Sequence, residues 1–297
     1  METLQVVEVG PRDGLQNEAV ELSTNDKVTL ITRLVDAGLS RTEAVSFAHP
    51  KRVPQMADAE DVMAAMPSPS GARLIGLVMN WKGWQRAAAT EVTEVNVPVF
   101  ATETFNERNQ GAPIAETVAQ MADVVTAAGE RGVAVTGTVS AAWGCPFEGE
   151  VPIAKVVELT QAVAATGVGE LALADTIGVA DPWSVERLLG AVISVVGELP
   201  LRVHFHDTRN TGLANVYSAV QNGVTIIDAA VGGIGGCPFA PAATGNIATE
   251  DLVFMLHRAG FDTGIDLAAL LRVSAWLEMK LGHPVASMLL KAGAWPT

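Results

Sequence analysis

The stretch from residue 133 to residue 205 decides the fold class. It contains VAVTGTV (133–139), IAKVVELTQAVAA (153–165), ELALA (170–174), WSVERLLGAVISVV (183–196) and LRVHF (201–205). The three short runs are apolar and of strand length, whereas the two longer runs carry apolar residues at helical spacing. A strand–helix–strand–helix–strand order predicts parallel strands joined by right-handed crossovers.

The same alternation covers most of the chain. It predicts strands at 4–9, 42–47, 73–79, 92–97, 133–139, 170–174, 201–205 and 225–231, with helices between them. Eight such units in about 250 residues are typical of an α/β (β/α)8 TIM barrel. A doubly wound open sheet is the competing fold, but no G-x-G-x-x-G turn follows the first strand. We expect one barrel domain over 1–297, with an appended C-terminal helical region at 262–297.

Composition excludes several classes of protein. The chain has 297 residues, of which 49% are hydrophobic and 18% charged, and its net charge is -14. This acidic balance predicts no nucleic acid and no anionic membrane surface as partners. Cys145 and Cys237 are the two cysteines, and we expect no disulfide between them. No signal segment and no membrane span are predicted, so we expect a cytoplasmic protein.

Polar residues concentrate where the barrel hypothesis requires them. A barrel enzyme carries its chemistry at the carboxyl ends of its strands. The residues at those ends are Arg12 and Asp13 after strand one, Glu43 in strand two, Asn80 after strand three, Asp175 at strand six, His204 and His206 in strand seven, and Cys237 and Asn246 after strand eight. This agreement between fold and pattern predicts an active site at that end of the barrel.

His204-Phe205-His206 is the sharpest local signal. Side chains alternate along a strand, so the two imidazoles point to the same side. Asp13 would add a carboxylate oxygen from the first strand, which neighbours strand eight and lies near strand seven in a closed barrel, and Asn246 would add a carbonyl oxygen from the last loop. Two imidazoles and two oxygen ligands with open positions favour Mg²⁺ or Mn²⁺ over a structural zinc ion. The alternative is a pair of hydrogen-bonded histidines without a metal.

Arg12 and Cys237 are candidates for the chemical steps. A guanidinium at Arg12 would stabilise a carbonyl or enolate oxygen, and its alternative role is a salt bridge to Glu43 or Asp175. Cys237 lies in a loop of glycines and small residues, which suits a proton donor that closes over a substrate. Its alternative role is packing under a turn. Cys145 is assigned a structural role.

Seven strings together resemble 3-hydroxy-3-methylglutaryl-CoA lyases, in family order and over nearly the whole barrel. They are EVGPRDGLQNE (8–18), EAVSF (43–47), NWKG (80–83), GCPFEG (144–149), ADTIG (174–178), HFHDT (204–208) and GGCPFAPAATGNIATEDLV (235–253). The resemblance implies a metal-dependent barrel, usually a dimer. It also implies cleavage of a branched 3-hydroxyacyl-CoA to acetyl-CoA and acetoacetate.

The resemblance also implies roles for single residues. The implied metal ligands are Asp13, His204, His206 and Asn246, the catalytic arginine is Arg12, the loop cysteine is Cys237, and the supporting acids are Glu43 and Asp175. A retro-Claisen cleavage needs a base for the tertiary hydroxyl, for which His204 and Asp175 are candidates. Asn80, Lys82 and Arg108 are candidates for contacts with the acyl-CoA substrate, with an ordinary surface position as the alternative.

Departures from the family pattern keep other functions open. Arg209 follows HDT where relatives often have tyrosine, Thr138 stands where relatives often have tyrosine, and positions 241–243 vary the signature loop. We expect Arg209 to begin the helix after strand seven, at the rim of the site. The alternatives are a lyase for citramalyl-CoA or a longer branched acyl-CoA, a condensing synthase, and a non-catalytic barrel. From the resemblance we also expect a homodimer or higher homo-oligomer.

Overall fold

A closed barrel of eight parallel strands forms the centre of the computed structural model, which describes residues 2–67, 71–236, 245–293 and 295. The barrel strands are β1 (Gln5–Glu8), β2 (Arg41–Ser46), β3 (Arg73–Leu77), β4 (Glu94–Phe100), β5 (Ala134–Ser140), β8 (Glu170–Asp175), β9 (Leu201–Phe205) and β10 (Ile226–Ala229). A hairpin of β6 (Gly144–Cys145) and β7 (Gly149–Glu150) follows β5. Strand β1 pairs with both β2 and β10, which closes the barrel. The (β/α)8 prediction is confirmed, and the open sheet is wrong.

Helices surround the barrel and continue beyond it. They are α1 (Thr24–Asp36), α2 (Ala59–Ala65), α3 (Trp81–Ala87), α4 (Glu103–Gln110), α5 (Ile114–Gly129), α6 (Ile153–Ala165), α7 (Pro182–Val196), α8 (Gly212–Gln221), α9 (Thr249–Arg258), α10 (Leu267–Leu281) and α11 (Met288–Ala292). The last two follow residue 262, where the appended helices were expected, and α10 packs against α1 and α9. Among the described helices, none combines the length and apolar character needed to cross a membrane.

Two boundaries near the site differ from the sequence predictions. Strand β1 ends at Glu8, and the chain then forms a tight π-helical turn, Gly10–Gly14, that carries Arg12 and Asp13. Helix α8 begins at Gly212, so the prediction that Arg209 begins this helix is wrong. Arg209 lies in the preceding turn, where its guanidinium donates to the carbonyl oxygens of Ile177 and Gly178 at 2.8 Å.

A buried charged network closes the amino-terminal end of the barrel interior. Arg41 forms ion pairs with Glu94 and Glu170, and Arg202 lies 3.3 Å from Glu170 and 3.5 Å from Asp228. These side chains point inward because they alternate with outward-facing residues along their strands. Buried charges need matched partners, and this network supplies them. It forms the floor beneath the polar residues at the carboxyl ends of the strands.

Candidate active site

Three metal-ligating side chains converge at the carboxyl end of the barrel. Strand β9 brings His204 and the following His206 to one side, and the turn after β1 brings Asp13. Asp13 Oδ2 lies 3.9 Å from Nε2 of each histidine, and one ligand atom from each of the three residues lies within 4.8 Å of the others. A divalent ion with bonds of about 2.1 Å joins ligand atoms up to about 4.2 Å apart, so Asp13 and each histidine lie close enough to share one ion.

Asn246, the fourth predicted ligand, lies beside Asp13. It follows the loop after β10 and forms an isolated bridge with His206. Its Nδ2 donates to Asp13 Oδ2 at 2.9 Å and to the Ile234 carbonyl oxygen at 3.1 Å. The amide nitrogen, not the carbonyl oxygen, therefore faces Asp13. Ligation through Oδ1 requires the side-chain amide to turn over, which exchanges two atoms of similar size.

Electrostatics keep Asp13 in the anionic form that a cation requires, and a buried carboxylate orients His204 while favouring its protonated form. Although burial opposes it, Arg12 and both histidines hold the pKa of Asp13 well below its usual range, so this carboxyl is an anion. Asp228 Oδ2 lies 3.2 Å from His204 Nδ1, which directs Nε2 towards Asp13. Although burial opposes the charged imidazole, this contact raises the pKa of His204. A carboxylate that orients a ligating histidine is a common feature of metal sites.

Arg12 forms the predicted salt bridge to Glu43 and also faces the cavity. Its guanidinium donates to Glu43 Oε2 at 2.5 Å and to Asp13 Oδ1 at 2.6 Å. Burial opposes the charge, but the two carboxylates raise the pKa of Arg12 above its usual value. Arg12 lines the same cavity as His204 and His206. The two interpretations are therefore compatible, because one side chain makes the salt bridge and presents a cation to the cavity.

Asp175 is buried behind the cavity wall. Its two carboxylate oxygens accept the backbone N–H groups of Val179 and Ala180 at 2.9 Å, and burial raises its pKa. Its neighbours Ala174 and Thr176 line the cavity, whereas Asp175 does not. The position supports a role in holding the turn after β8. Of the two candidate bases, His204 is the one that faces the cavity.

Glu8, at the end of β1, joins the segments on both sides of the site. Its Oε1 accepts the N–H groups of Gly10 at 2.8 Å and Val231 at 2.9 Å, and its Oε2 accepts the Thr249 hydroxyl at 2.7 Å. Burial raises the pKa of this carboxyl to about 8. Sequence reasoning missed Glu8 as well as Asp228. The signal in both cases is an acidic residue at an otherwise apolar strand end.

The cavity above these residues adjoins a second, larger one. The first has a volume of ≈ 190 Å³ and the second of ≈ 680 Å³, and they share Gln16, Leu77, Met79 and Asn109 in their walls. Asn80, Lys82 and Arg108 all line the second cavity. Asn80 Oδ1 also accepts the Gly83 N–H at the start of α3, and Arg108 lies over the Phe147 ring at 4.2 Å. The three predicted acyl-CoA contacts are thus brought together.

Cys237 lies outside the described residues, so its role as a proton donor stays a prediction. The described ends of its loop meet beside the candidate metal ligands. A Cβ placed on Gly245 would lie 1.4 Å from the Gly235 carbonyl oxygen, and one on Gly235 would lie 2.8 Å from Asn246 Nδ2. Only glycine fits such close backbone contacts. Cys145 is a free, buried thiol that accepts the Thr102 hydroxyl at 3.0 Å.

Fold and site together define a (β/α)8 barrel with a candidate divalent-metal centre and an arginine at its carboxyl end. A model of the HMGL-like family matches residues 3–277, so the chain belongs to that family. It is 41% identical to a hydroxymethylglutaryl-CoA lyase of Bacillus subtilis, over 96% of both chains. It is 45% identical to a mitochondrial hydroxymethylglutaryl-CoA lyase of Arabidopsis thaliana, over 96% of this chain and 61% of that protein.

Solved structures give the same result. The HMG-CoA lyase of Bacillus subtilis superposes with a TM-score of 0.96 at 40% identity, covering 98% of each chain. An HMG-CoA lyase of Acinetobacter baumannii, in complex with coenzyme A and 3-methylmalate, has a TM-score of 0.93 at 40% identity and covers 99% of this chain and 98% of that one.

Proposed function

We propose that this protein is a carbon–carbon lyase that cleaves 3-hydroxy-3-methylglutaryl-CoA to acetyl-CoA and acetoacetate with bound Mg²⁺ or Mn²⁺. The observation that carries the proposal is the meeting of Asp13, His204 and His206 with Arg12 in one cavity. The relatives named above support the substrate, because they are hydroxymethylglutaryl-CoA lyases over nearly the whole of this chain.

Asp13, His204, His206 and Asn246 are the residues that would hold the metal ion. When bound, the ion supplies Lewis-acid chemistry, which lowers the pKa of a hydroxyl group and orients the substrate. The set of one carboxylate, one amide and two imidazoles suits Mg²⁺ or Mn²⁺. His204 is directed into the cavity through Nε2, so its predicted roles as ligand and as base use the same nitrogen. Measuring metal binding by His204→Ala separates these roles. Weakened binding indicates a ligand, whereas unchanged binding with lost cleavage indicates a base.

The remaining steps need a cation for the enolate and a proton for the leaving carbon. Cleavage of the C2–C3 bond leaves a thioester enolate, whose oxygen Arg12 would hold because its guanidinium is fixed at the cavity wall. Cys237 would protonate the enolate carbon, and this assignment follows from the family resemblance. Glu43 would keep Arg12 in place, and Asp175 would hold the turn beneath the substrate.

The second cavity is the proposed site for the coenzyme A part of the substrate. Lys82 and Arg108 give it positive charge, and Asn80 lies beside them. The shared walls allow the thioester end to reach Arg12 while the nucleotide stays near the rim. The coenzyme A bound by the Acinetobacter baumannii relative supports this class of ligand. A homodimer or higher homo-oligomer and a cytoplasmic location stay predictions.

A cleavage assay tests the proposed function. Purified protein is mixed with 3-hydroxy-3-methylglutaryl-CoA and Mn²⁺ or Mg²⁺, and acetyl-CoA and acetoacetate are measured. We expect rapid release of both products, loss of release after EDTA treatment, and recovery when Mn²⁺ is restored. His206→Ala is the matched control, because it removes one proposed metal ligand and should lose the metal-dependent cleavage. Cleavage of citramalyl-CoA or a longer branched acyl-CoA, without cleavage of 3-hydroxy-3-methylglutaryl-CoA, would overturn the substrate assignment.

A further inference from the structure

A chain of hydrogen bonds runs across the barrel interior from Thr138 to Arg12. Thr138 Oγ1 donates to Asn96 Oδ1 at 2.6 Å, Asn96 Nδ2 donates to Glu43 Oε1 at 3.1 Å, and Arg12 donates to Glu43 Oε2 at 2.5 Å. The residues come from β5, β4, β2 and the turn after β1. All four are buried. Elements far apart in sequence therefore meet in one connected path.

Each link fixes the orientation of the next. The Glu43 carboxylate, paired with a guanidinium, only accepts hydrogen bonds, so Asn96 must present its amide nitrogen to it. The Asn96 carbonyl oxygen then faces Thr138, whose hydroxyl must donate. An Asn96 amide turned the other way would place two oxygens against each other at the Glu43 contact. The hydrogen bonds are therefore donated towards Glu43 from both ends, from Thr138 through Asn96 on one side and from the Arg12 guanidinium on the other.

We infer that Asn96 and Thr138 are positioning residues that set the orientation of the Arg12 guanidinium through Glu43. This inference rests on the role of Arg12 in the proposed function. Glu43 divides its two oxygens between Asn96 and Arg12, and Arg12 divides its donors between Glu43 and Asp13. If Asn96 releases Oε1, both Glu43 oxygens are free for a two-point contact with Arg12. That contact would draw the guanidinium away from Asp13 and from the substrate.

The test compares two buried threonines on the same face of β5. Thr138→Val removes the donor at nearly constant volume, and Thr138→Ser keeps a hydroxyl. Thr136→Val is the matched control, because the Thr136 hydroxyl bonds Glu94 and Glu170 in the floor network and not this path. We expect Thr138→Val to lower kcat roughly tenfold with KM within about twofold. Thr138→Ser should recover most of kcat, and Thr136→Val should leave kcat near the wild-type value.

A second readout does not depend on turnover. The rate at which phenylglyoxal modifies Arg12 is followed by peptide mass spectrometry in the same variants. We expect a several-fold slower modification of Arg12 in Thr138→Val, because a two-point contact with Glu43 engages more of the guanidinium, and no change in Thr136→Val or Thr138→Ser. Thr138→Ala serves as a second variant if valine is not tolerated at this position.

The outcomes separate the inference from the proposed function. A wild-type protein without cleavage activity overturns the proposed function, and the modification rates still decide whether Thr138 orders Arg12. An unchanged Arg12 modification rate in Thr138→Val overturns the inference. A raised KM with unchanged kcat also overturns it, because Thr138 would then act by touching the substrate.

Discussion

At the scale of single residues, Asp228 is the side chain on which the orientation of His204 depends. We expect Asp228→Asn to weaken Mn²⁺ binding by about tenfold to a hundredfold, since partners of this kind typically contribute that much. The substitution keeps the shape but removes the charge that the imidazole Nδ1 contacts at 3.2 Å. Titration of metal-free protein with Mn²⁺, followed by calorimetry, gives the affinity.

Asp207→Asn is the control for this measurement. Asp207 lies next to His206 in sequence, but its carboxylate accepts the Gly212 N–H at 2.7 Å. The control should keep its affinity for Mn²⁺. Equal affinity in wild type and Asp228→Asn would show that Asp228 does not orient a ligand.

The sequence grouped the candidate site residues better than the residues that hold them in place. Asp13, His204, His206 and Asn246 could be grouped because each lies at or after the carboxyl end of a strand, and the barrel brings strand ends together. Asp228 could not be assigned in this way. Its role depends on the strand register, which pairs it with His204 across β9 and β10. That register follows from the packing of the whole barrel.

At the scale of elements, the inner faces of the strands are more polar than the sequence reading supposed. The predicted strand interiors were treated as mostly apolar, and outward-facing residues such as Val95 and Val203 are indeed apolar and buried. The inward positions alternate with them and carry Glu94, Asn96 and Arg202. The alternation of inward and outward side chains along each strand could have indicated these polar positions. The buried valines between them made the runs look apolar throughout.

Glu8 connects two elements, and this connection predicts a pH dependence of stability. The pKa of Glu8 rises from an ordinary 4.5 to about 8 in the folded protein because of burial. The folded state therefore keeps a proton that the unfolded chain loses, so the free energy of unfolding falls as the pH rises from about 4.5 to 8. The expected loss is a few kcal/mol. Urea unfolding at a series of pH values measures it.

Glu8→Gln isolates the contribution of this carboxyl. Glutamine keeps an oxygen for the N–H groups of Gly10 and Val231 but does not ionise. The free energy of unfolding of the variant should fall less than that of wild type between pH 4.5 and 8. The difference between the two proteins should therefore be smallest at low pH, where the side chain is neutral in both. Parallel curves across this range would mean that Glu8 is already ionised in the folded protein.

At the scale of the whole molecule, the barrel is what brings the site together. Asn246 and Asp13 are 233 residues apart in sequence and 2.9 Å apart in space. Eight strand–helix units, together with the absence of a G-x-G-x-x-G turn after the first strand, were enough to predict the barrel over an open sheet. The turn around Arg12 was not predictable, because Gly10–Gly14 packs closely against Ile234 and Glu8 also accepts the Val231 N–H, and these long-range contacts form only after closure.

A metal ion bound jointly by side chains from the turn after the first strand, from the seventh strand and from the end of the last loop should stabilise the entire fold. Binding to the folded state alone adds about 2.7 kcal/mol at a metal concentration of 100 Kd. For a chain of this size we expect a rise in Tm of roughly 5 °C. Thermal unfolding of metal-free protein at increasing Mn²⁺ concentration measures this rise, which should follow the affinity from calorimetry.

His206→Ala distinguishes this stabilisation from a general salt effect. The variant loses one ligand but none of the backbone contacts that close the barrel, so its metal-free Tm should stay within a few degrees of wild type while the Mn²⁺-dependent rise is greatly reduced. An equal rise in both proteins would place the bound ion elsewhere on this acidic surface. A rise confined to the wild type would show that the ion stabilises the barrel through the cluster of Asp13, His204 and His206. These residues come from the turn after β1 and from the end of β9, and β10 lies between those two strands where the barrel closes.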